Sequence, residues 1–318
     1  MRRTLARLQH HSNAFVRIVE VAPRDGLQNE KKIPSTETKT SLIDRLVATG
    51  LQTVEVTSFV SPKWVPAMAD NEAILKHCNQ THGGTTVDFP VLTPNAKGMQ
   101  KALELGAKEV AIFAASSDGF AKKNTNCTVD ESFERFEEVL KLARNAGHPV
   151  KVRGYLSTVI GCPYDGPTEP ARVAELAQRL IDLGCYEVSL GDTIGVGTPG
   201  TIEMMLDQVM RRVPAEMLAI HAHDTYGQGV ANVMKAVDMG VRVVDASVAG
   251  LGGCPYAKGA TGNVATEDVV YALHGSGYDT GVNLDLLAET GEWISKELGR
   301  PNGSRAGRAI WTKNQAKI

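Results

Sequence analysis

The segment Ala219-Ile220-His221-Ala222-His223-Asp224 places two histidines one residue apart at the end of an apolar run. In a β-strand, residues i and i+2 share a face, so both imidazoles are presented together. Such a pair is half of a divalent-metal site; the alternative is one core and one loop histidine, each hydrogen-bonded, and an HxH pair alone does not choose between them. A second group stands in Pro23-Arg24-Asp25-Gly26, after the first β-branched run. Arg24 stays protonated and cannot be a base, but its planar donors could hold a substrate oxyanion, pair with an acid such as Glu55, or do both. Asp25 reads either as a ligand or as a turn or cap residue, and Asn263 either as a ligand or as a helix N-cap. Asp192, ending Ser189-Leu190-Gly191-Asp192, could be a base, a partner to another site residue, or a cap. Cys254 follows Gly250, Gly252 and Gly253. Three glycines in four residues suit a loop that closes over substrate, and a thiol on it could transfer a proton; a buried cysteine in a tight turn is the alternative.

These residues can meet only if the fold brings them together. Short β-branched runs alternate with helical stretches along the whole chain. The candidate strands are 16–21, 53–57, 87–92, 109–114, 150–156, 186–190, 218–223 and 243–247. Helical patterns follow each, near 36–48, 70–77, 96–105, 131–146, 170–183, 201–213, 229–239 and 266–274, with a further helical segment at 284–298. Gly50, Gly106, Gly184 and Gly240 each stand between a helix end and the next strand, where a left-handed residue stops the helix. Repeated βα units with short αβ turns predict a parallel sheet, and eight of them predict closure into an α/β (β/α)₈ TIM barrel. An open doubly wound sheet is the other solution, but no GxGxxG follows the first strand. In a closed barrel the eighth strand lies between the seventh and the first. Asp25, His221, His223 and Asn263 then converge at the C-terminal face, offering two nitrogens and two oxygens to Mg²⁺ or Mn²⁺. The long βα loops, all on that face, are what an enzyme needs.

Composition narrows the function class. The chain has 318 residues, 42% hydrophobic and 22% charged, with 34 Lys and Arg against 36 Asp and Glu. Without a basic excess, nucleic acid is a poor partner, and no apolar run is long enough for a transmembrane helix. The five cysteines are widely spaced with no CxxC, which argues against disulfides and a thiolate zinc site. Arg2, Arg3 and Arg7 precede any acid, a pattern like a mitochondrial presequence or a frayed basic tail. The C-terminal Ala-Lys-Ile only loosely matches a peroxisomal tripeptide. The expected division is a basic tail or targeting segment at 1–15, one catalytic barrel at 16–300 with the extra helical segment, and a C-terminal tail at 301–318.

The stretches VEVAPRDGLQNE, TSFVSPKWVPAMAD, RGYLSTVIGCPYDG, SLGDTIGVGTPG, HAHDTYGQGVANV and AGLGGCPYAKGATGN resemble the signatures of the hydroxymethylglutaryl-CoA lyase family, from Val19 to about Leu287. The Arg-Asp-Gly-Leu-Gln and HxHD segments also resemble a wider superfamily of metal-dependent aldol-type barrels. The resemblance implies cleavage of 3-hydroxy-3-methylglutaryl-CoA to acetyl-CoA and acetoacetate, as in leucine degradation and ketone-body formation. It implies Asp25, His221, His223 and Asn263 as ligands of Mg²⁺ or Mn²⁺, Arg24 as the enolate-stabilising arginine, Cys254 as the catalytic loop cysteine, and Glu55 and Asp192 as acids near the site. Asp192 or His221 would take the hydroxyl proton, and Cys254 or His221 would return one to carbon. Ser58, Ser189 and Gln28 are expected on the substrate. A homodimer and the mitochondrial matrix follow from the family, with cytoplasm or peroxisome as alternatives. The competing readings are an acyl-CoA-condensing synthase of the same superfamily and a catalytically silent CoA- or metal-binding barrel.

Overall fold

A computed structural model of the protein describes residues 14–28, 30–253 and 262–316. The strands are β1 (Arg17–Glu20), β2 in two pieces (Thr53–Val54 and Thr57–Ser58), β3 (Val91–Leu92), β4 (Glu109–Ala115), β5 (Lys151–Ser157), β6 (Glu187–Asp192), β7 (Leu218–Ala222) and β8 (Val243–Ala246). The helices are α1 (Thr36–Ala48), α2 (Asn71–His82), α3 (Ala96–Glu104), α4 (Asp118–Thr125), α5 (Val129–Arg144), α6 (Pro170–Leu183), α7 (Pro199–Val209), α8 (Gly229–Asp238), α9 (Thr266–Gly275), α10 (Leu284–Leu298) and α11 (Arg305–Gln315).

Every pairing between these strands is parallel, and the sheet runs from one piece of β2 through β1, β8, β7, β6, β5, β4 and β3 to the other piece of β2. The two ends are therefore one strand. Between its pieces, Glu55 N donates to Glu20 O on one side (2.9 Å), and Val56 N donates to Pro90 O on the other (3.1 Å). The expected eight-stranded barrel is closed, and an open sheet is excluded.

The helices cover the barrel because their apolar residues recur at helical spacing. In α6, for example, Val173, Ala174, Leu176, Ala177 and Leu180 are the buried positions. The four glycines expected at helix ends all have positive φ. At Gly50 the requirement is also steric, since a Cβ would lie 2.3 Å from Gly281 O. Cys78, Cys127, Cys162 and Cys185 are free and buried, as small hydrophobes; burial pushes the Cys78 and Cys185 thiols up to about 12.

Three details depart from expectation. The stretch after β4 holds two helices rather than one: Ser117 caps α4, and Asn126 in the left-handed region ends it before Thr128 opens α5 with a capping box. A two-stranded hairpin, Gly161–Cys162 with Gly166–Pro167, stands in the loop after β5. The segment read as a C-terminal tail, 301–318, contains α11, whose N-cap Ser304 also donates to Asp268 on α9 (2.7 Å). Short polar residues at 302–304 hid that helix start from hydrophobic periodicity. At the other end, Ala14 and Phe15 already pair with Asp279, while residues 1–13 of the expected tail lie outside the described residues.

Candidate active site

The mouth of the barrel is built where β1 and β7 end. After β1 the chain makes one π-turn, Ala22–Gly26, with Asp25 N on Val21 O at 2.8 Å and Gly26 N on the same oxygen at 3.1 Å. This wide turn presents Arg24 and Asp25 side by side. Gly26 has no room for a side chain, because a Cβ would lie 2.8 Å from Ser247 Oγ and 2.9 Å from Leu251 Cβ. Beyond β7 the chain keeps an extended course: His223 bridges Asn263, and Val264 N donates to Ala222 O (3.0 Å). That pairing brings Asn263 beside the histidines, although 40 residues separate it from His223.

Asp25, His221 and His223 offer ligand atoms that all lie within 4.8 Å of one another. Asn263 joins the cluster through its amide nitrogen, which donates to Asp25 Oδ2 (2.8 Å) and to Leu251 O (3.2 Å). Its Oδ1 is buried without a partner, as is His223 Nδ1. Unpaired buried polar atoms are costly, and these two belong to a cluster residue and to the residue bonded to Asp25, so the site suits a further ligand. The donor chemistry fits a divalent cation. Burial and the neighbouring His221 push the His223 imidazole down to about 3, against Asp25 and Asn263, so it stands neutral, the form that ligates a cation. Burial raises the Asp25 carboxyl, but Arg24, His221, Asn263 and His223 outweigh it and hold that group below the usual range.

Beneath this cluster the barrel interior carries charge. His221 Nδ1 meets Asp245 Oδ2 at 3.3 Å. Asp245 also receives both terminal nitrogens of Arg153 (2.7 and 3.2 Å) and the Ser189 hydroxyl (2.7 Å). Arg153 Nε donates to Glu187 (2.7 Å), which also pairs with Arg17. Burial raises the Asp245 carboxyl, yet Arg153 and His221 bring it far below the ordinary range. Burial by itself would lower His221; its bond to Asp245 and the charges of Asp245 and Asp25 raise it instead. A carboxylate behind an imidazole fixes the ring and aims the other nitrogen at the mouth.

Arg24 is buried and held from three sides. Its Nε and Nη2 meet Glu55 Oε2 at 2.8 and 2.7 Å, and Nη1 donates to Asp25 Oδ1 at 2.7 Å. Tyr155 donates its hydroxyl to the same Glu55 oxygen (3.0 Å), and its ring lies 5.3 Å from the guanidinium carbon. The expected Arg24–Glu55 pair therefore exists. Of the guanidinium's five N–H donors, these contacts use three.

A cavity of about 890 Å³ opens here, lined by Arg24, Asp25, His221 and His223 at one end and by Lys122, Lys123 and Arg135 elsewhere on its wall. Gln28, Ser58, Ser189 and Gly253 also line it. Asp192 is not among the lining residues; its two oxygens accept from Val196 N (3.2 Å) and Gly197 N (2.8 Å), so it closes the loop after β6. Cys254 lies outside the described residues. Sequence reasoning missed Arg153, Asp245 and Tyr155. The signal was present: Arg153 and Tyr155 stand at i and i+2 in a strand, and Asp245 interrupts Val243-Val244-Asp245-Ala246.

A family model described as HMGL-like matches residues 15–294. The chain is 58% identical to "Hydroxymethylglutaryl-CoA lyase, mitochondrial" of Bos taurus, over 92% of this chain and 89% of the relative. A crystal structure of hydroxymethylglutaryl-CoA lyase from Pseudomonas aeruginosa superposes with a TM-score of 0.90 at 52% identity, covering 95% of this chain and 99% of the other. An HMG-CoA lyase from Acinetobacter baumannii, solved with coenzyme A and 3-methylmalate, has a TM-score of 0.85 at 33% identity, over 93% and 95% of the two chains.

Proposed function

This chain belongs to the HMGL-like family, and on that footing we propose that it is a carbon–carbon lyase cleaving 3-hydroxy-3-methylglutaryl-CoA to acetyl-CoA and acetoacetate. The observation that carries this reading is the donor cluster with unpaired Asn263 Oδ1 and His223 Nδ1, set beside Arg24 on the cavity wall. Asp25, His221, His223 and Asn263 would hold a divalent cation, Mg²⁺ or Mn²⁺, which when bound acidifies and orients a hydroxyl.

The chain's own residues do the rest. Scission leaves the electron pair of the broken carbon–carbon bond on the acetyl-CoA fragment, with charge on the thioester oxygen. The two N–H donors that Arg24 keeps free are suited to meet that charge as it develops. Glu55 and Asp25 fix the guanidinium plane beforehand, so little reorganisation is needed. His221 presents one nitrogen to Asp245 and has one left. A nitrogen that holds a cation cannot also hold a proton, so we assign His221 to the ligand set. With His221 on the cation, the hydroxyl proton falls to Asp192, whose carboxylate feels the charge of His221 and whose hold on a proton burial strengthens, while Val196 N and Gly197 N keep it in place. Protonation of the new carbanion carbon falls to Cys254, which follows Gly253 on the cavity wall.

Gln28 on the cavity wall would touch substrate; Ser58 and Ser189 line the cavity too, but their hydroxyls donate to Leu92 O (3.4 Å) and Asp245 (2.7 Å). Lys122, Lys123 and Arg135 suit the phosphates of an acyl-CoA. A role in leucine degradation and ketogenesis, a homodimer, and residence in the mitochondrial matrix complete the proposal; the last rests on Arg2, Arg3 and Arg7 and on the mitochondrial relative. Among the described residues, no helix is long and apolar enough to cross a membrane.

Turnover of the thioester, followed by acetoacetate release, tests the reading. Activity should vanish with EDTA and return with Mg²⁺ or Mn²⁺. Acyl-CoA-dependent consumption of a keto acid, without acetoacetate release, would establish the synthase instead. Indifference to chelation would refute the cation centre.

A further inference from the structure

A second cluster of metal-binding side chains lies on the outside of the barrel, between α1 and α2. His77 Nε2 and His82 Nε2 meet one oxygen of Asp44, at 2.8 and 2.7 Å. The three ligand atoms lie within 4.8 Å of one another. None is deeply buried: the side chains of His77, His82 and Asp44 are 28%, 13% and 40% exposed, which leaves a side open to solvent. The two rings stand edge to face with centroids 6.2 Å apart, and His82 also packs on Phe89. The rings are thus held by packing and not by the carboxylate alone.

Charge at this place is one-sided. Among the described residues, the only salt bridges to Asp44 come from these two histidines. The neighbouring Arg45 lies over Trp293, with Glu289 at 3.9 Å. His82 is the last residue of α2, and Asp44 sits one turn before the end of α1. Both helices run back from the mouth, so both C-terminal ends, each with partial negative charge, meet at the opposite face and favour a cation.

We propose that Asp44, His77 and His82 form a second cation site, selective for Zn²⁺ and similar imidazole-seeking ions. Zinc bonds of about 2.0–2.2 Å need ligand atoms slightly farther apart than the present hydrogen bonds, so the carboxylate withdraws by roughly half an ångström. Water fills the open position. Two imidazoles with one carboxylate and no amide oxygen suit Zn²⁺, Ni²⁺ or Cu²⁺ better than Mg²⁺. The ion would staple α1 to α2 at the face away from the cavity, where residues act on stability and not on chemistry.

The test uses the full chain, stripped with EDTA and equilibrated with Zn²⁺ alone. His223→Ala is introduced to weaken the central site, and His77→Gln with His82→Gln to remove this one. The His223→Ala chain should lose one equivalent of bound Zn²⁺ when the two glutamines are added. At Zn²⁺ about 100-fold above its Kd, the folding equilibrium of the His223→Ala chain should shift about 100-fold, and that of the triple variant should not. Asp44→Asn keeps an oxygen acceptor for both rings yet removes the anionic ligand, so Zn²⁺ binding should weaken at least tenfold with metal-free stability little changed. Equal Zn²⁺ binding with and without His77 and His82 overturns the proposal. The central site is judged separately, by the equivalent lost on His223→Ala in the chain already carrying the two glutamines.

Discussion

The mouth of the barrel and the layer just beneath it are both buried and both charged, yet they are finished differently. In the lower layer Arg153 reaches Glu187 and Asp245, and Asp245 is closed by Ser189 and His221. Above it, His223 Nδ1, Asn263 Oδ1 and Glu55 Oε1 have no partner. A buried network is stable only when its members are satisfied. The lower layer is therefore scaffold, complete by itself, and the mouth is a site that something else completes.

The comparison breaks first at Arg153. Arg153→Met takes the guanidinium from buried Asp245, leaving it Ser189 and His221, and leaves Glu187 only Arg17, so urea unfolding should show a loss of about 3–5 kcal/mol. A loss below about 1 kcal/mol would mean that the layer is not scaffold. At the mouth the large effect should be on rate. Arg24→Lys keeps the charge but not the fork, and kcat for thioester cleavage should fall about 10²–10³-fold with the fold retained. Near-normal turnover would remove Arg24 from the transition state.

Asp245 joins the two regions, and so sharpens the contrast. Asp245→Asn removes the charge behind His221, and Mg²⁺ or Mn²⁺ affinity should fall about 10–100-fold in a metal titration. An unchanged affinity would mean that the lower layer does not orient the ligand. A last effect, spread over pH, concerns Glu20, whose carboxylate is tied to Ala22 N, Val248 N and the Thr266 hydroxyl at the root of the glycine loop. Burial pushes it up to about 7 from 4.5, against those three donors. The folded state then binds a proton that the unfolded state releases, so stability falls as pH rises from about 4.5 to 7. The slope is at most about 1.4 kcal/mol per pH unit. Burial also pushes Glu267 up to about 8, so denaturation midpoints across that window should depend less steeply on pH in Glu20→Gln without becoming flat, and an equally steep dependence in the variant would refute the assignment.

Much of the fold was legible because its signals are local. β-Branched runs, helical periodicity and the stopping glycines each act within a few residues, and α10 falls on its expected span, Leu284–Leu298. Helices α4 and α11 were not legible, since caps and a left-handed asparagine set their ends. The candidate donor cluster was legible in part. His221 and His223 share a face by strand geometry alone, but Asn263 joins them only through the bridge beyond β7. For Asp192 the sequence left base, partner and cap open, and the structure shows the loop bonds to Val196 N and Gly197 N together with an electrostatic coupling to His221.

The sequence by itself determined the eight βα repeats, the residue types able to hold a hard dication, and the arginine–aspartate pair after β1. These are properties of short segments, where side-chain period and backbone sterics decide the outcome. Closure alone decided which of those residues meet. Only when β2 pairs with both β1 and β3 do Glu55 and Arg24 share a hydrogen bond, and only across the barrel interior can Arg153 reach Asp245, 92 residues away. Contacts over such separations depend on how every strand between them packs, and no local pattern encodes that.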